Sequence, residues 1–332
     1  MTTLRSAVIG HGMIGAEHSR VLHALPDVQL AVVCDTRPDV AAGLPAGVRF
    51  TADLDSALDE PGLEAVWVCT PQHVHRVAVT AALARGLAVF CEKPLAATLA
   101  DADAIIDAAS GRTLAVGHML RFDLDYITVR EQIASGALGT PVQLAARRNC
   151  PDYEGRVISG RTSVPLELAV HDLDIFAWMA GPIEAVYAEP SPLQLVGRGP
   201  DAVVGTVRFA SGAIGALEHN WIMPAETGRA FDQRLAVFGT AGTAYVEGNT
   251  TKIYAGRPQL TTAKYGPAVN GLPFGLIAAE DAAFVALVRD GHPWPLTLAD
   301  ARAALVAALA LERSMATERR VRLDEVDPLP HG

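Results

Sequence analysis

Short apolar runs and amphipathic helical stretches alternate through the first third of the chain. Apolar residues 7–9 precede a helical stretch from Gly12 to about Leu25, residues 30–34 precede 38–43, and residues 65–69 precede a helix from about His73 to Arg85. Residues 87–91 and a helix over about 98–109 follow, then a short strand at 114–116. Strand and helix in this alternation predict βαβ units and a parallel, doubly wound sheet. Gly86 stands where a left-handed residue would stop a helix. The ligand crevice of such a sheet opens beyond the carboxyl ends of its strands, so Asp35, Thr70, Glu92 and Lys93 are expected to border it.

The rhythm changes after about residue 121. A helix over about 126–135 leads to a strand at 142–147, a loop from 151 to 163, and a helix from 164 to 179. Several short strands follow between Ile183 and Tyr254, separated by turn signals at Ser211-Gly212, 239–242 and Gly248-Asn249, which reads as an antiparallel sheet. Residues 257–273, rich in glycine and proline, read as a long loop. Helices over 276–289 and 298–318 close the chain.

The run Gly10-His11-Gly12-Met13-Ile14-Gly15 lies directly behind the first apolar run. In a dinucleotide-binding turn the first glycine allows the tight turn, the second lets the backbone approach a pyrophosphate, and the third lets the helix pack on the sheet, with the helix N-terminus facing the phosphates. Asp35 ends the next strand, 20 residues beyond Gly15. A carboxylate there accepts two hydrogen bonds from the adenosine ribose diol and repels a 2′-phosphate, which favours NAD over NADP. Arg37 can stack on adenine or grip a phosphate.

Composition narrows the classes. The 332 residues, half of them hydrophobic, suffice for roughly two domains. Lys plus Arg of 27 against Asp plus Glu of 37 gives a net charge of −10, which argues against a general affinity for nucleic acid or an anionic membrane. No apolar stretch reaches the roughly 18 residues of a membrane span, and the first strand begins almost at once, so a cytosolic protein is expected. Cys34, Cys69, Cys91 and Cys150 show neither CxxC spacing nor a disulfide framework and read as small buried hydrophobes. No residues are assigned to a metal.

Two clusters carry candidate chemistry. Glu92-Lys93-Pro94 follows the strand over 87–91 and opens on the nicotinamide end of the crevice, where an ammonium can hydrogen-bond to a substrate hydroxyl and stabilise alkoxide charge. A surface Glu-Lys pair before a helix-starting proline is the alternative. Within Glu167-Leu168-Ala169-Val170-His171-Asp172-Leu173-Asp174, spacings of four and three set Glu167, His171 and Asp174 along one helix face. Such an imidazole can exchange a proton while its carboxylate neighbours hold its tautomer or a substrate hydroxyl. An ordinary i,i+4 pair on a solvated helix is again the alternative. Arg147, Arg148, Tyr153, Arg156 and Arg161, around the loop before that helix, can line a substrate mouth or lie on a polar surface. Trp221 reads as sheet or interface packing.

Together these features resemble the glucose-fructose oxidoreductase, inositol dehydrogenase and MocA (Gfo/Idh/MocA) family over almost the whole chain. The likeness rests on GHGMIG at 10–15, Asp35, Thr70-Pro71-Gln72-His73-Val74-His75, Glu92-Lys93-Pro94, Arg121-Phe122-Asp123, His171-Asp172-Leu173-Asp174 and the closing stretch from Asp300 through Ser314. It implies an α/β protein: a Rossmann domain over 1–121 and an α+β domain over 122–332. The second domain would carry a large, mostly antiparallel open sheet that mediates dimer or tetramer contacts, and the C-terminal helix would pack back on the Rossmann domain.

The resemblance further implies cofactor contacts from Gly10, Gly12, Met13, Ile14, Gly15, Asp35, Thr36, Arg37, Cys69, Thr70, Pro71, Gln72, His75, Glu92 and Lys93. It implies substrate contacts from Lys93, Arg121, Tyr153, Arg161, Glu167, His171 and Asp174. Lys93 matches the family's EKP lysine, with Lys93-Pro94 a candidate cis bond, and His171 matches the general acid/base. Two departures stand out. Glu167 occupies the place of an aspartate in inositol dehydrogenase-like members, and one arginine is missing before Arg121.

The expected activity is NAD-dependent hydride transfer on a sugar, cyclitol or related polyol, with Lys93, His171 and Glu167 as catalytic residues. The assignment requires Lys93 and His171 to reach the same reacting centre. The alternatives are a lyase or glycosidase that oxidises its sugar only transiently, and a non-catalytic dinucleotide sensor.

Overall fold

The near-continuous apolar runs of the first third form strands buried on both faces, as parallel sheets require. In the computed structural model, which describes residues 3–196, 199–224, 231–248, 265–269 and 272–327, they are β1 (Leu4–Ile9), β2 (Val28–Cys34), β3 (Arg49–Thr51), β4 (Ala65–Val68), β5 (Ala88–Glu92) and β6 (Leu114–Gly117). Their order is β3-β2-β1-β4-β5-β6, and every neighbouring pair is parallel. This is the doubly wound arrangement, with its switch of direction between β1 and β4. The connections carry α1 (Met13–Ala24), α2 (Leu54–Leu58), α3 (His75–Ala84) and α4 (Leu99–Ala108). Gly86, at φ +78°, ends the α3 turn in the left-handed region. The Thr98 hydroxyl accepts the Asp101 N–H at 3.2 Å and starts α4.

The remaining elements are α5 (Leu124–Ala134), β7 (Pro141–Pro151), α6 (Asp152–Ile158), a π-helical turn (Pro165–Ala169), α7 (Val170–Ala180), β8 (Ile183–Pro190), β9 (Ala202–Phe209), β10 (Ile214–Met223), β11 (Asp232–Gly239) and β12 (Thr243–Glu247). A hairpin of β13 (Tyr265–Val269) and β14 (Leu272–Gly275) follows, then α8 (Leu276–Asp290), α9 (Leu298–Thr317), β15 (Val321–Arg322) and α10 (Leu323–Val326). The second sheet runs β12-β11-β7-β10-β9-β8-β15. Among the described residues β7 and β10 pair in parallel and the other neighbours of this sheet are antiparallel. Strict alternation of buried and exposed residues along β9 gives this sheet one inner and one outer face. On the inner face Gly215 has no side chain because Phe176 of α7 lies there, 2.6 Å from where a Cβ would stand.

The chain divides into two units, Met1–Phe122 with Ala263–Arg302 and Asp123–Thr262 with Ala303–Gly332. The division is thus discontinuous where the sequence suggested a single cut after residue 121. The hairpin and α8 return to the first unit, while the C-terminal helix from Ala303 onward belongs to the second.

Three local expectations change. Residues 265–269 and 272–275 are paired strands rather than loop; residues 257–264 and 270–271 lie outside the described residues, as do 249–254 at the end of the expected strand region. The loop expected at 151–163 contains α6, whose Gly155 leaves room for the Trp221 ring 2.8 Å from a notional Cβ. The helix expected over 164–179 opens with the π-helical turn, in which the Val170 N–H reaches back to the Pro165 carbonyl.

The first unit is knit by aromatic rings contributed from distant segments. Phe284 of α8 meets Trp67 edge-on at 4.9 Å between centroids and Phe90 at 5.7 Å, with Trp294 alongside at 6.2 Å. Phe284→Ala should lower unfolding stability by about 3–5 kcal/mol, whereas Phe274→Ala, on an exposed side chain, should stay within about 0.5 kcal/mol. Denaturant titration of both variants checks the contrast.

Candidate active site

The glycine loop shows three separate steric needs. Gly10 takes φ +88°, and a Cβ on it would meet the Cys69 carbonyl and the Thr70 nitrogen at 2.8 Å. A Cβ on Gly15 would strike the Gly10 carbonyl oxygen, so the third glycine lets α1 close on the turn. At Gly12 a Cβ would meet nothing within 4 Å. That open space at the N-terminus of α1 fits the close approach of a pyrophosphate, and Met13 and Ile14 follow it on the first turn.

Asp35, at the end of β2, is tied to this loop. Its Oδ2 accepts the His11 N–H at 2.7 Å, and its Oδ1 accepts from the Arg37 amide at 2.9 Å and Nε at 3.0 Å. Partial burial disfavours the charge, but the Arg37 and His11 hydrogen bonds prevail and hold the carboxyl below its usual range. Arg37 also donates to the His11 carbonyl at 2.7 Å, and Thr36 between them is exposed.

Cys69, Thr70, Pro71 and Gln72 follow β4 beside the glycine loop. His75 is buried and faces backbone: Nε2 lies 2.8 Å from the Thr70 carbonyl and Nδ1 3.0 Å from that of Pro94. Burial pulls its pKa down, opposed by its hydrogen bonds to the Thr70 and Leu95 carbonyls. The imidazole thus binds two loops to each other instead of lining open space. The Lys93-Pro94 bond is cis, and Lys93 is half-buried.

Glu92 likewise turns inward. Its Oε2 accepts the Lys93 N–H at 3.0 Å and its Oε1 lies 3.1 Å from His18 Nε2, so its carboxylate holds the lysine from behind. Arg121 is 5% exposed and donates to the Pro295 carbonyl at 3.3 Å within the first unit.

In the second unit the HDLD segment is fixed by a residue the sequence reading had not singled out. Asp172 is wholly buried and receives a forked pair from Arg148, Nε at 3.0 Å and Nη2 at 2.8 Å, while His219 Nε2 lies 2.9 Å away. Strand register explains the pair: Arg148 on β7 and His219 on β10 stand directly opposite each other. Burial opposes the charge on Asp172, yet Arg148 and His219 outweigh it and hold the carboxyl below its normal range. Asp172 and Phe176, four residues apart, share the sheet-facing side of α7. His171, turned by about 100° from Asp172, is 6% exposed, Asp174 is buried, and Glu167 is half-buried within the π-helical turn. Such turns recur at functional sites, and this one re-aims Glu167 relative to a plain i,i+4 neighbour.

The arginines around α6 largely meet acids. Besides Arg148, Arg147 bridges Glu218 at 2.8 Å and Asp232 at 3.2 Å, and Arg156 pairs with Asp152 at 3.0 Å. Tyr153 and Arg161 are exposed. Trp221 is buried and donates to Asp201 at 2.5 Å, as sheet packing.

The described architecture matches two family models, the oxidoreductase family with NAD-binding Rossmann fold over residues 4–118 and the GFO/IDH/MocA C-terminal domain over 126–245. The chain belongs to the Gfo/Idh/MocA family. It is an NAD-dependent oxidoreductase acting on CH–OH groups, and relatives support a cyclitol or sugar substrate class. The myo-inositol 2-dehydrogenase of Thermotoga maritima is 29% identical across 97% of this chain and 99% of its own. The inositol 2-dehydrogenase of Streptomyces avermitilis is 37% identical across 53% of this chain and 52% of its own. Among solved structures, GenD2 from gentamicin A biosynthesis in complex with NAD superposes with a TM-score of 0.81 at 27% identity, covering 97% of both chains. Among the described residues of this family member, no helix is long and apolar enough to cross a membrane.

Asp172→Asn should cost about 3–5 kcal/mol, because it strands the Arg148 guanidinium in the interior. Asp152→Asn, which disturbs only an exposed pair, should cost no more than about 1 kcal/mol. Since the Asp172 pKa is depressed on folding, its stabilisation is present above the ordinary carboxyl range and disappears as pH falls through the folded value. Denaturation midpoints measured from pH 7 down to pH 3 should therefore fall less steeply in Asp172→Asn than in the wild type.

Proposed function

We propose that this protein oxidises a single secondary hydroxyl of a cyclitol or sugar-like polyol, or reduces the corresponding ketone, with Lys93, His171 and Glu167 as its catalytic groups. One observation carries the reading: a half-buried lysine stands at the carboxyl end of β5, fixed from behind by Glu92, in the same unit as a glycine loop with open space at Gly12. The full-length likeness to a myo-inositol 2-dehydrogenase points to the substrate class.

The glycine loop and Asp35 hold the dinucleotide, Asp35 through the adenosine ribose. Bound NAD supplies the hydride acceptor at its nicotinamide. His171 takes the hydroxyl proton, since an imidazole exchanges protons near neutral pH. Lys93 donates a hydrogen bond to the same oxygen and stabilises its growing negative charge. Glu167 accepts from a neighbouring hydroxyl; its side chain is one methylene longer than aspartate and starts from the π-helical turn, which sets a different reach. Tyr153 and Arg161 are candidate outer substrate contacts. The protein acts in the cytosol.

A panel of inositols, polyols, aldoses and sugar acids, followed by NADH absorbance with NAD and with NADP, identifies the substrate. With the best substrate, Lys93→Met should lower kcat by about 10²-fold or more and leave the NADH Kd within about twofold. His171→Ala should remove the limb of the pH profile near neutrality. Undiminished turnover in Lys93→Met would end its assignment, and turnover by the purified protein without added NAD would mean internal redox cycling in its place.

The outer face of the second sheet is the proposed contact between copies in a dimer or tetramer. Strand register lines up Tyr245, Ala236, Ala145, Ala216 and Thr206 across β12, β11, β7, β10 and β9. The row is apolar at its centre, where Ala236, Ala145 and Ala216 stand side by side. Arg234, Arg147 and Glu218 form the parallel row beside it, able to pair with a second copy's charges. Ala145→Glu should shift the protein to a smaller species in sedimentation, and an unchanged mass would place the contact elsewhere.

A further inference from the structure

Behind Lys93, wholly inside the first unit, three carboxylates surround one imidazole. His18 of α1 directs Nδ1 at Asp281 Oδ1, 2.7 Å away, and Nε2 at Glu92 Oε1, 3.1 Å away. Carboxylate oxygens only accept, and a neutral imidazole donates from one nitrogen, so this geometry calls for the imidazolium. Trp67 Nε1 donates to the same Asp281 oxygen at 2.8 Å. Glu280, next to Asp281 on α8, is 0% exposed, and neither of its oxygens meets a hydrogen-bond partner among the described residues. His18, Glu92 and Glu280 bring their polar atoms within 4.8 Å of one another.

Three ionised carboxylates around one imidazolium, all out of water, would leave an uncompensated charge where it is most expensive. Two such carboxylates are balanced by His18 together with the Lys93 ammonium; the third needs a proton. We propose that Glu280 is carried as a neutral carboxylic acid, and that the set His18, Glu92, Glu280 and Asp281 is a positioning device for Lys93. His18 fixes the Glu92 carboxylate, and Glu92 fixes the Lys93 amide. The device rests on the role proposed for Lys93, but its protonation does not.

The groups facing Glu280 are His18 from α1, Glu92 from β5, Cys69 at the end of β4 and Asp281 on α8 itself; Lys93 faces Glu92. Burial, then the Glu92 charge, push the Glu280 pKa well up, with His18 opposing. The Asp281 and Glu92 contacts hold His18 charged against its own burial. The same donors would suit a cation, but both His18 nitrogens are already engaged by carboxylates, and a proton neutralises Glu280 without dehydrating an ion.

The test uses the full chain. Glu280→Gln mimics the neutral acid and cannot ionise. At acidic pH the folded and unfolded wild type both hold the proton; as pH rises above about 4.3 only the unfolded chain releases it, so wild-type stability falls until the folded pKa is reached. The Tm of Glu280→Gln minus that of wild type should therefore widen from pH 5 to pH 8. The infrared carbonyl band of a buried neutral carboxylic acid should be present in wild type at pH 8 and missing from the variant. A constant Tm difference, or no such band, overturns the protonation. Stabilisation of wild type by Mn²⁺ or Zn²⁺ that Glu280→Gln abolishes also overturns it, in favour of a metal ion.

Positioning is read separately. His18→Gln should lower kcat about tenfold with little change in KM, and should lower it no further in a Lys93→Met background. Equal losses in both backgrounds overturn the positioning role. If no polyol or keto sugar is turned over, the proposed function fails, while the infrared and Tm readouts still decide the protonation.

Discussion

A carboxylate withdrawn from water must be met by donors or by a proton, and this demand organises both units. Glu92 immediately precedes Lys93, and Asp172 immediately follows His171. Each is buried and anchored, Glu92 on His18 and the Lys93 amide, Asp172 on Arg148 and His219. In both cases the side chain proposed to do chemistry is the sequence neighbour of one that the interior holds rigidly. Removing a partner from either anchor leaves a buried charge, which is costlier than losing a surface pair. The backbone beside each chemical group is thereby fixed.

The local part of this was legible in the sequence. Alternating apolar and helical stretches gave the parallel sheet, and the spacing of Gly10, Gly12, Gly15 and Asp35 marked the dinucleotide loop. The anchors were not legible, because their partners lie far away along the chain: Arg148 and His219 flank Asp172 by 24 and 47 positions, and Asp281 is 263 positions from His18. A usable hint existed. His18 shares the helical stripe of Gly15, Ser19 and Leu22, all buried, and a histidine on a core-facing stripe requires hydrogen-bonding partners. The π-helical turn before α7 had no such signal, since an i→i+5 bond leaves the residue types of a helix start unchanged. The β13–β14 hairpin was masked by glycines and prolines that suit an irregular two-stranded ribbon as well as a loop.

The discontinuous division of the chain follows from the same chemistry. Strand β5 and helix α1 bring His18 and Glu92 together, but among the described residues the partner on the Nδ1 side of the ring lies beyond residue 122. That partner arrives with α8, together with Phe284, which fills the space between Trp67 and Phe90. Apolar closure and charge compensation are thus delivered by one helix. A Rossmann unit cut at residue 122 would expose both the aromatic core and an imidazolium with half its support.

The link between Asp35 and Arg37 bears on cofactor choice in a way that neither residue does alone. An arginine two positions after the acid could in principle offer charge to a 2′-phosphate. Here its guanidinium is shared between the Asp35 carboxylate and the His11 carbonyl. Because those hydrogen bonds also hold the Asp35 pKa below its usual range, the carboxylate stays ionised throughout the neutral range and remains next to the place a 2′-phosphate would occupy. Recruiting Arg37 to a phosphate would mean breaking its contacts to the loop and leaving two anions side by side. On the proposed role of Asp35, the pair would accept the ribose diol and disfavour its phosphorylated form, consistent with the NAD-binding family.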